Sequence, residues 1–263
     1  MLARSRTLPF SVLERLSSSE LVPLIQQQAN FFGASASFYE PWPPVDAMHT
    51  AWNALNHFGL RWWAILAGTS LGFRLSTFEL QKRVLLLGRE RRAKLAEFAP
   101  ARAAVAESLM RGERDLAKSQ FLEYSEILKS RGLSGITREN KILLGLNAVW
   151  FLTFSASLRA LVMYPDTLPS FCLDSGLLWI PSLALPDPLS VLPVVSSIAY
   201  LASMEAREEF QAHPQRDKIK WILRGVTFAA LPVVTHLPAG FYIFMTCNAA
   251  FTGWFGRYMQ KIK

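Results

Sequence analysis

The chain is 263 residues long, 51% hydrophobic and 18% charged, with a mean hydropathy of +0.20. That value is too low for a bundle lying wholly in a membrane, so a substantial polar portion lies outside any bilayer, and two cysteines exclude a disulfide framework. The net charge of +8 is compatible with nucleic-acid binding by counterion release, but its uneven distribution along the chain assigns it first to membrane topology.

At the amino terminus, Arg4 and Arg6 stand among serines and no acid precedes Glu14, a composition that predicts a mitochondrial transit peptide rather than a secretory signal. Residues 1–50 as a whole read as a targeting and outer-side segment, with Pro41-Trp-Pro-Pro44 as a rigid extended break. Residues 51–263 read as one membrane domain. Its first spanning helix is expected at about 58–80, close to the ~20 residues a bilayer requires. Trp62 and Trp63 lie near one end of it, as an interfacial aromatic belt would. Arg61 and Glu79 lie near the ends and reach the interface by snorkelling. Arg74 falls in the inner half, where a guanidinium is costly and marks a polar pathway or a partner.

Residues 81–141 hold fourteen Lys/Arg against eight Asp/Glu, whereas 165–188 hold three acids, Asp166, Asp174 and Asp187, and no base. The positive-inside rule puts the first segment on the cytoplasmic or matrix face and the second on the opposite side. No proline occurs between Gln81 and Pro100, so the first helix is expected to run out of the bilayer unbroken. Arg111-Gly112-Glu113 predicts a turn. A helix over about 114–130 then carries Leu116, Phe121, Tyr124, Ile127 and Leu128 at helical spacing and ends at Gly132. The product is a polar helical hairpin outside the membrane, suited as a docking arm for a nascent chain, a ribosome or a partner protein.

The second span is expected at about 142–164, with Asn147, Ser155, Ser157 and Arg159 inside it and Pro165 as its stop. In the Pro-rich acidic loop 165–188, the apolar piece Leu177–Ile180 is expected to lie in the interface. A short third span follows at about 189–204. After an inner-side return over Glu205–Lys218, the fourth and fifth spans are placed at Trp221–Leu237 and Phe241–Tyr258, separated by a turn at His236–Gly240. Five spans put the amino end outside and the tail bearing Arg257, Lys261 and Lys263 inside.

Soluble catalytic signatures are missing: there is no GxxxxGK[ST], no HExxH and no GxSxG. His49, His57, His213 and His236 are scattered, so neither a metal site nor enzyme chemistry is predicted, and no cofactor is implied. A carrier or channel would show inverted repeats and paired interrupted helices, which this pattern lacks. What recurs is polar residues within spans: Arg74, Asn147, Ser155, Arg159 and Asn248. Each needs a partner or water in hydrocarbon. Converging, they would line a wet groove; apart, they would make interhelical hydrogen bonds and snorkel.

Three stretches carry a family likeness. Gly176-Leu-Leu-Trp-Ile-Pro-Ser-Leu-Ala-Leu-Pro-Asp-Pro-Leu-Ser-Val-Leu-Pro193 resembles the loop that precedes the third span of the YidC/Oxa/Alb insertases. Phe154-Ser-Ala-Ser-Leu-Arg159 is similar to the end of the second span in the mitochondrial branch, and Leu237-Pro-Ala-Gly-Phe-Tyr-Ile-Phe-Met-Thr-Cys-Asn248 to the start of the last span. The likeness covers about residues 50–260 and is greatest to the mitochondrial translocase that assists cytochrome oxidase assembly. The chain departs from the family at Phe244-Met245, where a Tyr-Trp pair is usual, and at Asn248-Ala249, where a Ser-Asn pair is usual.

The resemblance implies an all-α membrane protein with five transmembrane helices and a matrix-side hairpin, in the mitochondrial inner membrane. It implies no catalysis in the chemical sense, but a groove in which Arg74 attracts acidic parts of a translocating tail; Asn147, Ser155, Arg159 and Asn248, singled out by their place within spans, are the residues expected to line it with Arg74. Partners would be membrane lipids, nascent or imported membrane-protein segments and respiratory-complex subunits, with nucleic acid entering only through a ribosome. The rival reading is an insertase-derived structural subunit of a respiratory complex.

Overall fold

Runs rich in leucine, alanine, arginine and phenylalanine, punctuated by glycine and proline, favour helix, and the regular structure that forms is helical. The computed structural model describes residues 21–25, 27, 42–173, 175–211 and 216–262. The expected transit peptide, Pro41, Asp174, His213 and Lys263 lie outside them. Two isolated bridges, Leu177 with Ile180 and Pro186 with Pro238, are the extended pairings among the described residues.

In chain order the main helices are α1 (Pro43–His57), α2 (Trp62–Ser76), α3 (Phe78–Ala96), α4 (Ala99–Met110), α5 (Arg114–Ser130), α6 (Arg138–Met163), α7 (Val191–Glu205), α8 (Arg216–Val234) and α9 (Ala239–Lys261). The chain divides into two compact units, one reaching to Leu75 and resuming at Val149, the other Ser76–Ala148.

Several expectations need correction. Pro43 and Pro44 do not extend the chain; they occupy the first turn of α1, where the missing N–H would be unpaired anyway. The helix expected to leave the bilayer unbroken is interrupted at Thr77, at φ −94° and ψ 4°, and again before Pro100. Trp62 is core rather than belt: it is 2% exposed and meets Phe171 edge-on at 5.2 Å. Among the described residues, α6 alone is both long and apolar enough to cross a membrane, and α7 is apolar but shorter.

In the first unit, Trp52, Trp62, Ile65, Leu66, Phe154, Leu158, Phe171, Leu183 and Phe244 form a continuous core. Each such side chain contributes about 1.5–3 kcal/mol by leaving water. Helix α7 packs along α9 and more lightly along α8. The loop before α7 closes over the start of α9. Ala239 donates its backbone N–H to Leu185 O at 2.8 Å and Gly240 to Leu183 O at 3.0 Å, so loop carbonyls satisfy donors that a helix start leaves open. Gly240 permits this approach: a Cβ there would lie 3.1 Å from Leu66 Cδ1 and 3.4 Å from Leu183 O. Leu177–Ile180 is a tight turn closed by two reciprocal 2.9 Å backbone bonds, with Ile180 buried and Leu178 81% exposed.

The second unit contains α3, α4, α5 and the part of α6 up to Ala148. Gly112, at φ 80°, lets Gly112 N–H reach Leu109 O and Glu113 N–H reach Ser108 O, the paired bonds of a Schellman turn. Gly132, at φ 65°, ends α5 in the same way. Across the α4–α5 hairpin, Ser108 Oγ donates to Gln120 Oε1 at 2.9 Å beside buried Ala117.

Large apolar side chains on α6, α7, α8 and α9 face outward, among them Leu152, Ile198, Trp221, Ile222, Val226, Phe228, Val233 and Trp254. Exposed apolar side chains in this number, on four helices, are consistent with an all-α membrane protein.

Candidate functional site

Ser70 and Arg74 stand one turn apart on α2 and so share a face. Arg74 Nε donates to Asn248 Oδ1 at 2.7 Å, joining α2 to the middle of α9 across 174 residues of sequence. Asn248 is buried, and its Nδ2 donates to Phe244 O at 2.9 Å. Its backbone carbonyl accepts from Thr252 Oγ1 at 2.8 Å. A guanidinium only donates and a carbonyl only accepts, so these bonds fix which way the amide points. A hydrogen bond to a charged group contributes about 1.5–3 kcal/mol net.

This polar contact borders an aromatic stack. Phe73, next to Arg74, lies face to face with Trp150 at 4.5 Å. Trp150 leads to Phe154 at 6.0 Å, and Phe154 stacks on Phe244 at 4.0 Å, one turn before Asn248. On the helices that carry the contact and the stack, α2, α6 and α9, Ser70 Oγ, Trp150 Nε1, Ser155 Oγ and Thr246 Oγ1 are buried without a hydrogen-bond partner among the described residues. Such groups carry a penalty of about 1–3 kcal/mol each, which makes a concentration of them informative.

Of the five residues singled out from sequence, the fold joins Arg74 to Asn248 and leaves Ser155 half-buried with its hydroxyl unmatched. Arg159 is exposed near the end of α6. Asn147 belongs to the other unit, where its Nδ2 donates to Leu143 O on its own helix at 2.7 Å. Ser70, Trp150 and Thr246 were not singled out; for Ser70 the signal was its helical spacing from Arg74, whereas Trp150 and Thr246 had none beyond lying in apolar segments.

Helix α1 braces the site from behind. His49 Nε2 donates to Ser157 O at 3.0 Å and Trp52 Nε1 to Thr69 Oγ1 at 3.1 Å. Burial pushes the His49 imidazole below its usual range, with the Ser157 carbonyl and Asp46 opposing. Elsewhere, Glu205 at the end of α7 receives Arg224 at 2.8 Å and Lys220 at 3.1 Å, and Arg224 lies over the Trp221 ring. Among the described residues no group of His, Cys, Asp or Glu suits a metal ion.

The chain is 23% identical over 234 residues to the mitochondrial inner membrane protein OXA1 of Arabidopsis thaliana, covering 87% of this chain and 51% of that protein. To the OXA1-like mitochondrial inner membrane protein of the same plant it is 22% identical over 269 residues, 98% of this chain and 58% of the other. To bovine (Bos taurus) mitochondrial inner membrane protein OXA1L it is 24% identical over 259 residues, 94% and 55% respectively. The chain thus spans about half the length of the curated relatives it matches. No family model and no solved structure matches it.

Proposed function

We propose that this chain is an insertase of the YidC/Oxa/Alb kind in the mitochondrial inner membrane, with α2, α6, α7, α8 and α9 as its five spans and the segment 81–141 on the matrix side. The observation that carries it is the Arg74–Asn248 contact: a guanidinium held inside a unit whose helices turn apolar side chains outward. Similarity to proteins named OXA1 over most of this chain supports the same reading.

The mechanism is passive. Arg74 and the unmatched hydroxyls and indole N–H around it offer polar contacts at a depth where hydrocarbon offers none, which lowers the desolvation cost of a polar tail. An acidic residue of the tail pairs transiently with Arg74 while apolar segments of the substrate move into lipid. The membrane potential adds roughly 2.3 kcal/mol per charge per 100 mV for an acidic tail moving outward. Respiratory-complex subunits, cytochrome oxidase among them, are the proposed substrates.

The test is reconstitution of the full chain into liposomes, followed by protease protection of an acidic-tailed membrane substrate. Protection no greater than in protein-free liposomes removes the insertase reading. A structural-subunit reading has one observation in its favour, the Phe154–Phe244 stack, which fills space beside Asn248 with apolar rings. Stoichiometric co-purification with a respiratory complex would establish it.

A further inference from the structure

Resting on the mitochondrial location of the proposed function, and going beyond the insertase reading, we propose that residues 21–25 are a retained part of the first unit, so that maturation of the targeting segment cuts on the amino-terminal side of Leu21.

Residues 21–25 are helical and bury one face. Leu21 is 5% exposed and Ile25 2%, and Leu24 packs partly buried against the same core, whereas Val22 between them is 54% exposed. Leu21, Leu24 and Ile25 stand at i, i+3 and i+4, the spacing of a single helix face. They join the continuous core that holds Trp52 of α1, Trp62 of α2, Phe154 of α6 and Phe171. A cut beyond Ile25 would take two buried side chains out of that core and leave their space lined by apolar groups, at a cost that grows with the void.

The sequence changes character at the same place. Arg4, Arg6 and Arg15 supply the positive charge typical of import presequences, and no lysine or arginine follows until Arg61. The import-like composition therefore ends before the first core side chain. Composition alone groups residues 1–50 together, yet that block also contains the start of α1, where Val45 is buried and His49 Nε2 donates to Ser157 O at 3.0 Å. Removal of the whole block would cut α1 as well as strip Leu21 and Ile25 from the core. Import can discard the part upstream of Leu21 without touching either.

The full-length chain with a carboxyl-terminal tag is imported into mitochondria and purified, and its first residue is read by mass spectrometry of the terminal peptide. The mature protein is expected to start after Arg6 and no later than Leu21. A start beyond Leu21, or a chain that keeps Arg6, overturns the proposal. The purified protein is then compared in detergent with Leu21→Ala, Ile25→Ala and Val22→Ala, each imported as the full-length chain. The two core variants are expected to lower the thermal midpoint by at least about 4 °C, and Val22→Ala by no more than about 2 °C. Equal midpoints for Leu21→Ala, Ile25→Ala and wild type overturn the structural role. Should an alanine variant not accumulate, Ile25→Val decides: a midpoint about 1–4 °C lower supports the proposal, and an unchanged one overturns it. A tagged chain that does not enter mitochondria overturns the proposed location and the cut together. Failure of wild type to insert substrate in liposomes removes the insertase reading and leaves this inference standing.

Discussion

Asp187 accepts the indole N–H of Trp179 at 2.8 Å while its two oxygens also take the backbone N–H groups of Leu189, at 3.1 Å, and Leu192, at 2.6 Å. The nominal cap of α7, Ser190, sits in the left-handed region at φ 54° and makes no side-chain cap. Asp187 therefore performs the capping from three residues upstream and ties the 165–188 loop to the helix start. Asp187→Ala is expected to destabilise the protein by at least about 2 kcal/mol, the sum of a lost cap and newly unpaired buried donors. Asp187→Asn, which keeps one acceptor oxygen, is expected to fall between. Thermal unfolding in detergent checks this, and equal midpoints for Asp187→Ala and wild type would refute it.

Arg74→Ala is expected to reduce insertion of acidic tails, while Arg74→Lys retains most of it, because long-range attraction depends on charge more than on the fork. Lysine cannot reproduce the Nε bond to Asn248. If that directional bond holds the unit together, Lys fails as badly as Ala and abundance falls with activity. Steady-state level and insertion, measured on the same membranes, separate the two outcomes.

The proposed topology predicts opposite labelling of two exposed positions. In mitoplasts an impermeant maleimide should modify Leu178→Cys, in the 165–188 loop, and spare Met110→Cys, at the end of α4 and 87% exposed. Native Cys172 gives a low background: burial, and secondarily Asp166, push its thiol up to about 12, so little thiolate exists near neutral pH. Reversed labelling would invert the assignment of sides.

His49 gives a pH dependence with a definite sign. Its folded-state pKa lies below the ordinary 6.5, so the neutral ring is the form the fold accepts. The unfolded chain then binds the proton more readily, and stability present above pH 6.5 is lost as pH falls from 6.5 through the folded pKa. His49→Gln should flatten this part of the stability profile. A slope equal to that of wild type would assign the acid loss to another group.

The local chemistry of the sequence was enough to place most helices. The hairpin turn and the α5 end at Gly112 and Gly132 follow from glycine's tolerance of positive φ, and α6, α7 and α9 begin and end within a few residues of the segments read from apolar runs. These are short-range properties, set by a residue and its neighbours within a turn. The break at Thr77 and the helical start at Pro43 escaped the same reasoning, because a β-branched residue and a proline are each compatible with two local conformations. Partners distant in sequence were beyond it altogether. That Arg74 meets Asn248, that Asp187 serves Trp179 and two backbone donors, and that Trp62 is core rather than belt depend on which helix faces pack together. The sequence alone determined that Arg74 needed a polar partner in an apolar segment; only tertiary packing, which closes the chain and brings distant helix faces together, decided that the Asn248 amide is one such partner.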